Sequence, residues 1–175
     1  MTQYRRNWTL GGTYFFTVVA VNRANGPLVA HIADLRTAFR IVRAEHSFEI
    51  DAIVILPDHL HTLWTLPPAD SDYATRWKKI KAAFSKRMPA NEPRSPSRIA
   101  KGERGIWQRR YWEHTIRDED DLRAHVDYIH FNPVKHGYVG AASEWPHSTF
   151  RQYVDRGMYP MDWGGASDAD GDFGE

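Results

Sequence analysis

Cysteine occurs nowhere in the 175 residues. Disulfide scaffolds, thiolate zinc sites and cysteine nucleophiles are therefore excluded, and any metal must sit on imidazole, carboxylate or amide ligands. Long apolar runs are missing too. No stretch approaches the ~18 residues of a membrane span, and Met1–Leu10 is polar and basic with no apolar leader core, so no membrane partner is expected. Net charge is nearly absent, at +1, but only as an average. Residues 74–117 hold thirteen Lys and Arg against three Glu, so the middle carries +10 and the remainder −9, with an acidic end from Asp162 to Glu175. Such polarity suits a polyanionic partner, and a merely solvated basic face is the alternative reading.

Hydrophobic residues make up 42% and aromatics 13%, with seven Trp, which is ample for one folded domain. We expect a single domain over residues 1–163, with a C-terminal extension from about 134, and an acidic flexible tail over 164–175. Tyr14–Val21 is aromatic and β-branched and reads as a buried strand. Asp34 offers a cap for an amphipathic helix carrying Leu35, Ala38, Phe39 and Val42. Phe48–Leu56 and His59–Leu66 read as a hairpin around Pro57-Asp58, and Ala74–Met88 as a helix ended by Pro89. Pro89–Gly105, rich in Pro, Ser, Arg and Lys, reads as a mobile loop. Ile106–Ile116 reads as extended, and Asp118 caps a last helix expected to stop at Asn132, before Pro133. The order β-α-β-β-α-β-α predicts an α+β, ferredoxin-like (RRM-like) antiparallel sheet with helices packed on one face.

Two segments carry chemistry. In Leu56-Pro57-Asp58-His59-Leu60-His61, the histidines are two apart on a predicted strand, so both imidazoles share a face and could ligate one divalent ion. A polar sheet face would give the same spacing. On the last helix, Leu122, Val126 and Ile129 form the core stripe, while Asp121, His125, Tyr128 and Asn132 form a second stripe beside it. That places the Tyr128 hydroxyl and the Asn132 amide a turn apart. Taken alone, Tyr128 could equally be a core aromatic and Asn132 a helix terminator.

Three ordered motifs bear on the choice: Leu-Pro-Asp-His-Leu-His followed by Trp64, Trp-Gln-Arg-Arg-Tyr-Trp-Glu-His at 107–114, and Tyr128-Ile-His-Phe-Asn-Pro-Val-Lys-His-Gly137. Together they resemble the HUH single-tyrosine transposases, and more closely the REP-associated tyrosine transposases, over roughly Tyr4–Trp163. The resemblance implies that Tyr128 is the nucleophile, with His59, His61 and Asn132 holding Mg²⁺ or Mn²⁺. It implies a sequence- and structure-specific endonuclease and strand transferase acting on single-stranded REP-type hairpins through a 5′-phosphotyrosine. It further implies a monomer, as for the REP-associated branch, where related insertion-sequence enzymes are dimers that exchange the tyrosine helix. With no apolar leader or span, the expected location is the cytoplasm, in association with the nucleoid.

DNA contacts are expected from Arg76, Lys78, Lys79, Lys81, Lys86, Arg109 and Arg110, and from Arg5 and Arg6 as a basic arm, unless that arm is only a solvated terminus. Tyr111 is a rival nucleophile, although its place between Trp107 and Trp112 suits base stacking or core packing better. Glu113 and His114 could supply a ligand or proton acceptor, and His125 could lie near the metal. The competing function is a non-catalytic single-stranded nucleic-acid-binding module. It accounts for the basic middle but leaves the histidines, Tyr128 and Asn132 as coincidence.

Overall fold

A computed structural model describes residues 8–165. Four strands, β1 (Thr13–Val19), β2 (Glu49–Ile55), β3 (His59–Thr65) and β4 (Trp112–Thr115), form one antiparallel sheet in the order β2-β3-β1-β4. Alternation along β1 sorts its side chains. Tyr14, Phe16 and Val18 enter one core and Phe15 enters another, on the opposite face.

The first face is covered by helices α2 (Ile32–Glu45) and α3 (Tyr73–Arg87), the layer the sequence predicts. It is filled by rings. Trp64 of β3 stacks on Trp77 of α3 at 4.3 Å between centroids, and Phe16 and Phe48 lie 4.9 and 4.2 Å from Trp64. Ring packing of this kind accounts for much of the apolar area removed from water. The long helix α5 (Glu119–Lys135) lies on the other face, where Val126 and Ile129 meet Phe15, Val54 and Leu63. Helices thus cover both sides of the sheet, and interior strand β3 is buried almost throughout.

Several local expectations change. A short helix α1 (Pro27–Ala30) runs into α2 through His31, so Asp34 sits inside the first turn and does not cap it. Asp118 does cap α5, accepting from the Asp121 amide at 2.8 Å. Pro133 does not stop that helix. It sits in the last turn, where the missing N–H costs one bond, and the chain leaves through Gly137 at φ 70°. The Gly137 and Tyr138 amides donate to Val134 and Pro133 carbonyls at 2.9 and 3.0 Å, closing a Schellman end one turn later than predicted.

The basic insert is built rather than structureless. It holds helix α4 (Pro96–Ala100), and the Arg104 guanidinium ties it down by pairing with Glu92 and donating to the Ser85 and Pro89 carbonyls at 2.6 and 2.8 Å. The hydrogen bond from Arg104 holds the Glu92 carboxyl down at about 2. The extension after residue 135 folds back along the outer edge of β2. Ile55 donates to the His147 carbonyl at 2.8 Å, Thr149 donates to the Ile53 carbonyl at 3.0 Å, and short helix α6 (Phe150–Asp155) follows. The expected tail lies outside the described residues beyond Gly165, and Gly164 itself is buried against Phe131.

Candidate active site

Leu56 donates to the His59 carbonyl at 2.9 Å, so Pro57 and Asp58 alone make the turn from β2 to β3. That turn sets the register that aims His59 and His61 at the α5 face, opposite Val19 and Thr17 of β1. Both rings are buried, 5.0 Å apart between centroids. Each has its Nδ1 engaged. Asp58 lies 2.7 Å from His59 Nδ1, and the Thr17 hydroxyl 2.9 Å from His61 Nδ1. The Nε2 atoms are thereby turned toward the helix, the arrangement in which a second partner orients an imidazole for a metal. Burial raises the Asp58 carboxyl, but hydrogen bonds from Arg23 and His59 outweigh it and the net shift is downward, so the turn residue is an anion.

Helix α5 runs antiparallel to β3 here. The Tyr128 ring meets His61 edge-on at 5.1 Å, and two turns later His136 meets His59 at 5.2 Å. Asn132 lies between them on the same stripe, at i+4 from Tyr128, and therefore faces the histidine pair. It is completely buried, and among the described residues neither its amide nitrogen nor its carbonyl oxygen has a hydrogen-bond partner, nor does His61 Nε2. Leaving such groups unpaired costs about 1–3 kcal/mol each. Burial, reinforced by the charges of His59, His136 and Lys135, pushes His61 down to about 3, so the ring is neutral. A neutral imidazole and an unpartnered amide oxygen are donors suited to a divalent cation, and these residues fit one.

His136 and Lys135 were not anticipated. Lys135 Nζ stands 5.3 Å from the centroid of the Tyr128 ring. Both continue the stripe beyond Pro133, and the spacing Tyr128, Asn132, His136 would have exposed them had the helix been extended one turn.

Other candidates are sorted by the sheet. Tyr111 packs against Trp77 and Lys81, on the α3 side, away from the histidines. Glu113 also turns to that side and accepts from the Tyr73 hydroxyl at 2.8 Å. His125 reaches neither His59 nor His61, because the Phe15 ring intervenes, 4.7 Å from His125 and 5.6 Å from His61. His125 instead joins His114 around Asp121.

The basic residues divide likewise. Lys78, Lys81, Lys86 and Arg109 line a groove of about 930 Å³ between α3 and the insert, and Arg110 is exposed nearby. Lys81 Nζ lies over the Trp107 and Tyr111 rings and donates to the Gln108 carbonyl. Arg76 requires correction. It is buried and donates to Asp72, Ser47 and Asp70, so it ties α3 to its surroundings instead of facing a ligand. Lys79 pairs with Glu45 of α2 at 2.8 Å, outside the groove lining. Arg5 and Arg6 lie outside the described residues.

Residues 13–132 match the family described as IS200-like transposases. The chain is 47% identical over 165 residues to the REP-associated tyrosine transposase of Escherichia coli, covering 94% of this chain and 92% of that protein. The chain belongs to this family. A Haemophilus influenzae protein assigned to the same group is 46% identical over 169 residues, 96% of each chain. A solved REP-associated tyrosine transposase, bound to a REP hairpin, superposes with a TM-score of 0.81 at 46% identity, covering 100% of this chain and 98% of that one. As a tyrosine transposase this chain is a DNA-processing enzyme. No helix among the described residues is long and apolar enough to cross a membrane.

Proposed function

We propose that this transposase cuts and rejoins single-stranded DNA at REP-type hairpins, with Tyr128 as nucleophile. The observation that carries the reading is the Tyr128 ring set against a neutral, anchored His61 with the unpartnered Asn132 amide one turn on. Its phenolic oxygen attacks the scissile phosphorus, the bond to the 3′ oxygen breaks, and the phenolic proton ends on that departing oxygen. The product is a 5′-phosphotyrosine and a free 3′-OH. Because phosphodiester is exchanged for phosphodiester, a later 3′-OH can reverse the step without ATP.

Held by His59, His61 and Asn132, a divalent ion, Mg²⁺ or Mn²⁺, would supply Lewis-acid withdrawal of charge from the non-bridging phosphate oxygens. Asp58 and Thr17 fix the two imidazoles so that no reorganisation is needed on binding. Lys135, beside the Tyr128 ring, adds positive charge where the phosphate must dock. Lys78, Lys81, Lys86, Arg109 and Arg110, joined by Arg5 and Arg6, would track the backbone of the hairpin and its foot. The active unit on this reading is a monomer.

The test is incubation with labelled single-stranded REP-type hairpins and Mn²⁺, followed by a denaturing gel and mapping of the nucleotide-bearing peptide. A covalent band is expected with the unmodified protein and with Tyr111→Phe, and none with Tyr128→Phe. An adduct mapped to Tyr111, or undiminished cutting by Tyr128→Phe, would overturn the assignment.

A further inference from the structure

We propose that His114, Asp121 and His125 form a second divalent-metal site, of zinc type, which fastens the N-terminal end of the tyrosine helix to the edge strand β4. His114 projects from β4 toward α5, and Asp121 and His125 are one turn apart on α5. Asp121 stands at the centre. One of its oxygens is 2.8 Å from His114 Nε2 and the other 3.1 Å from His125 Nδ1, and one donor atom from each of the three residues falls within a 4.8 Å span. His125 Nδ1 also donates to the Asp121 backbone carbonyl at 2.8 Å, a bond it gives up, with its proton, to bind an ion. Ligands bound tetrahedrally to one ion at roughly 2.1 Å stand about 3.4 Å from each other, so a pair at the 4.8 Å limit closes by about 1.4 Å on binding. The two imidazoles stack, 4.8 Å apart at 13°, and one ring must tilt for both lone pairs to meet a common ion.

Two imidazoles and a carboxylate form the three-ligand set typical of zinc, with further positions left to water. Arg117 competes for the same carboxylate through its backbone N–H and Nε, but its side chain is 74% exposed and free to swing out. A cation beside a helix N-terminus opposes the helix dipole. Here Glu119 and Asp120 accompany Asp121 in the first turn and offset that repulsion. The Phe15 ring separates this cluster from His59 and His61, so the two centres can be emptied independently.

The structural consequence is mechanical. Strand β4 has four residues and pairs with β1 alone, so the His114–Asp121 contact is its tie to the helix that carries Tyr128. Replacing a shared proton by an ion with three protein ligands would stiffen that tie without touching the reacting phosphate.

The experiment uses His59→Ala/His61→Ala protein, stripped with chelator, loaded with Zn²⁺ under excess Mg²⁺, desalted and analysed for bound metal and thermal midpoint. About one zinc per chain and a raised midpoint are expected, both lost on adding His114→Ala or His125→Gln. The glutamine variant keeps the His114–Asp121 bond and a good helix former, so loss of metal there cannot be attributed to unfolding. Background protein that retains no zinc, or zinc unaffected by both added substitutions, would overturn the proposal. Failure of DNA cleavage would not bear on it, because the readout is metal content alone.

Discussion

The two faces of the sheet are made by the same strands and obey opposite rules. Toward α2 and α3, β3 presents Leu60 and Trp64 to a closed set of rings. Toward α5 it presents His59 and His61 beside Leu63, flanked by a buried asparagine whose side chain has no hydrogen-bond partner among the described residues. The first face holds the molecule together. The second holds polar groups that lack protein partners among the described residues, and a bound ligand would satisfy them. Stability and chemistry are thus separated by a single alternation of side chains, and single substitutions should separate them too.

The widest gap is expected between Trp77→Ala and Tyr128→Phe. The first should lower unfolding free energy by about 3–5 kcal/mol, as for other buried Trp truncations. The second should leave the urea midpoint unchanged while reducing adduct formation by about a thousandfold or more. Equal loss of stability in both variants would erase the distinction between the faces.

Next comes Asn132→Leu, which replaces two unpaired polar atoms by an apolar group of similar size. We expect unfolding free energy to be unchanged or raised by roughly 1 kcal/mol, with Mn²⁺ binding and cleavage lost. Calorimetric metal titration beside denaturant melts would check both. A stability loss would mean that the amide is paired in solution.

A smaller effect concerns pH. Burial pushes His130 down to about 3 from its ordinary 6.5, and its Nε2 lies 3.0 Å from the Thr149 hydroxyl. A depressed folded pKa means the stabilising contribution is whole above 6.5 and is lost as pH falls toward 3, because the unfolded chain takes the proton first. The urea midpoint should therefore drop between about pH 7.5 and pH 5, and His130→Gln should flatten the decline. His61 adds a decline of the same sign in metal-free protein.

The smallest effect concerns two lysines of one helix. Lys81→Ala should reduce the log–log salt slope of hairpin binding by about 0.7, one phosphate's worth on a single strand. Lys79→Ala, which loses only its pairing with Glu45, should not change it.

Legibility in the sequence followed the range of the interaction. Histidines two apart on β3 and the stripe through Tyr128 and Asn132 are properties of local periodicity, and both could be read directly. Arg76 could not. Its burial depends on Ser47, 29 positions away, and charge alone made it look like a DNA ligand. Glu113 likewise faces Tyr73 because of strand parity that an irregular approach from Ile106 concealed. The Thr17 and Asp58 anchors arise from strand pairing and from the turn, so neither spacing nor composition hinted at them. Pro133 misled for a different reason: its rule concerns helix interiors, and here it stands within the last turn, where few bonds remain to break.

The chain segment lying along β2 gives this protein two different lengths. The stretch shared with IS200-like transposases closes at residue 132, yet the peptide groups of Ile53 and Ile55 find their partners at His147 and Thr149. The stretch common to the IS200-like family is therefore shorter than the foldable unit, whereas the REP-associated relatives match nearly the whole chain. A gene trimmed to the shared stretch would keep Tyr128, His59, His61 and Asn132, lose Lys135, and yield a sheet with an open, apolar border, ready to pair with another copy of itself.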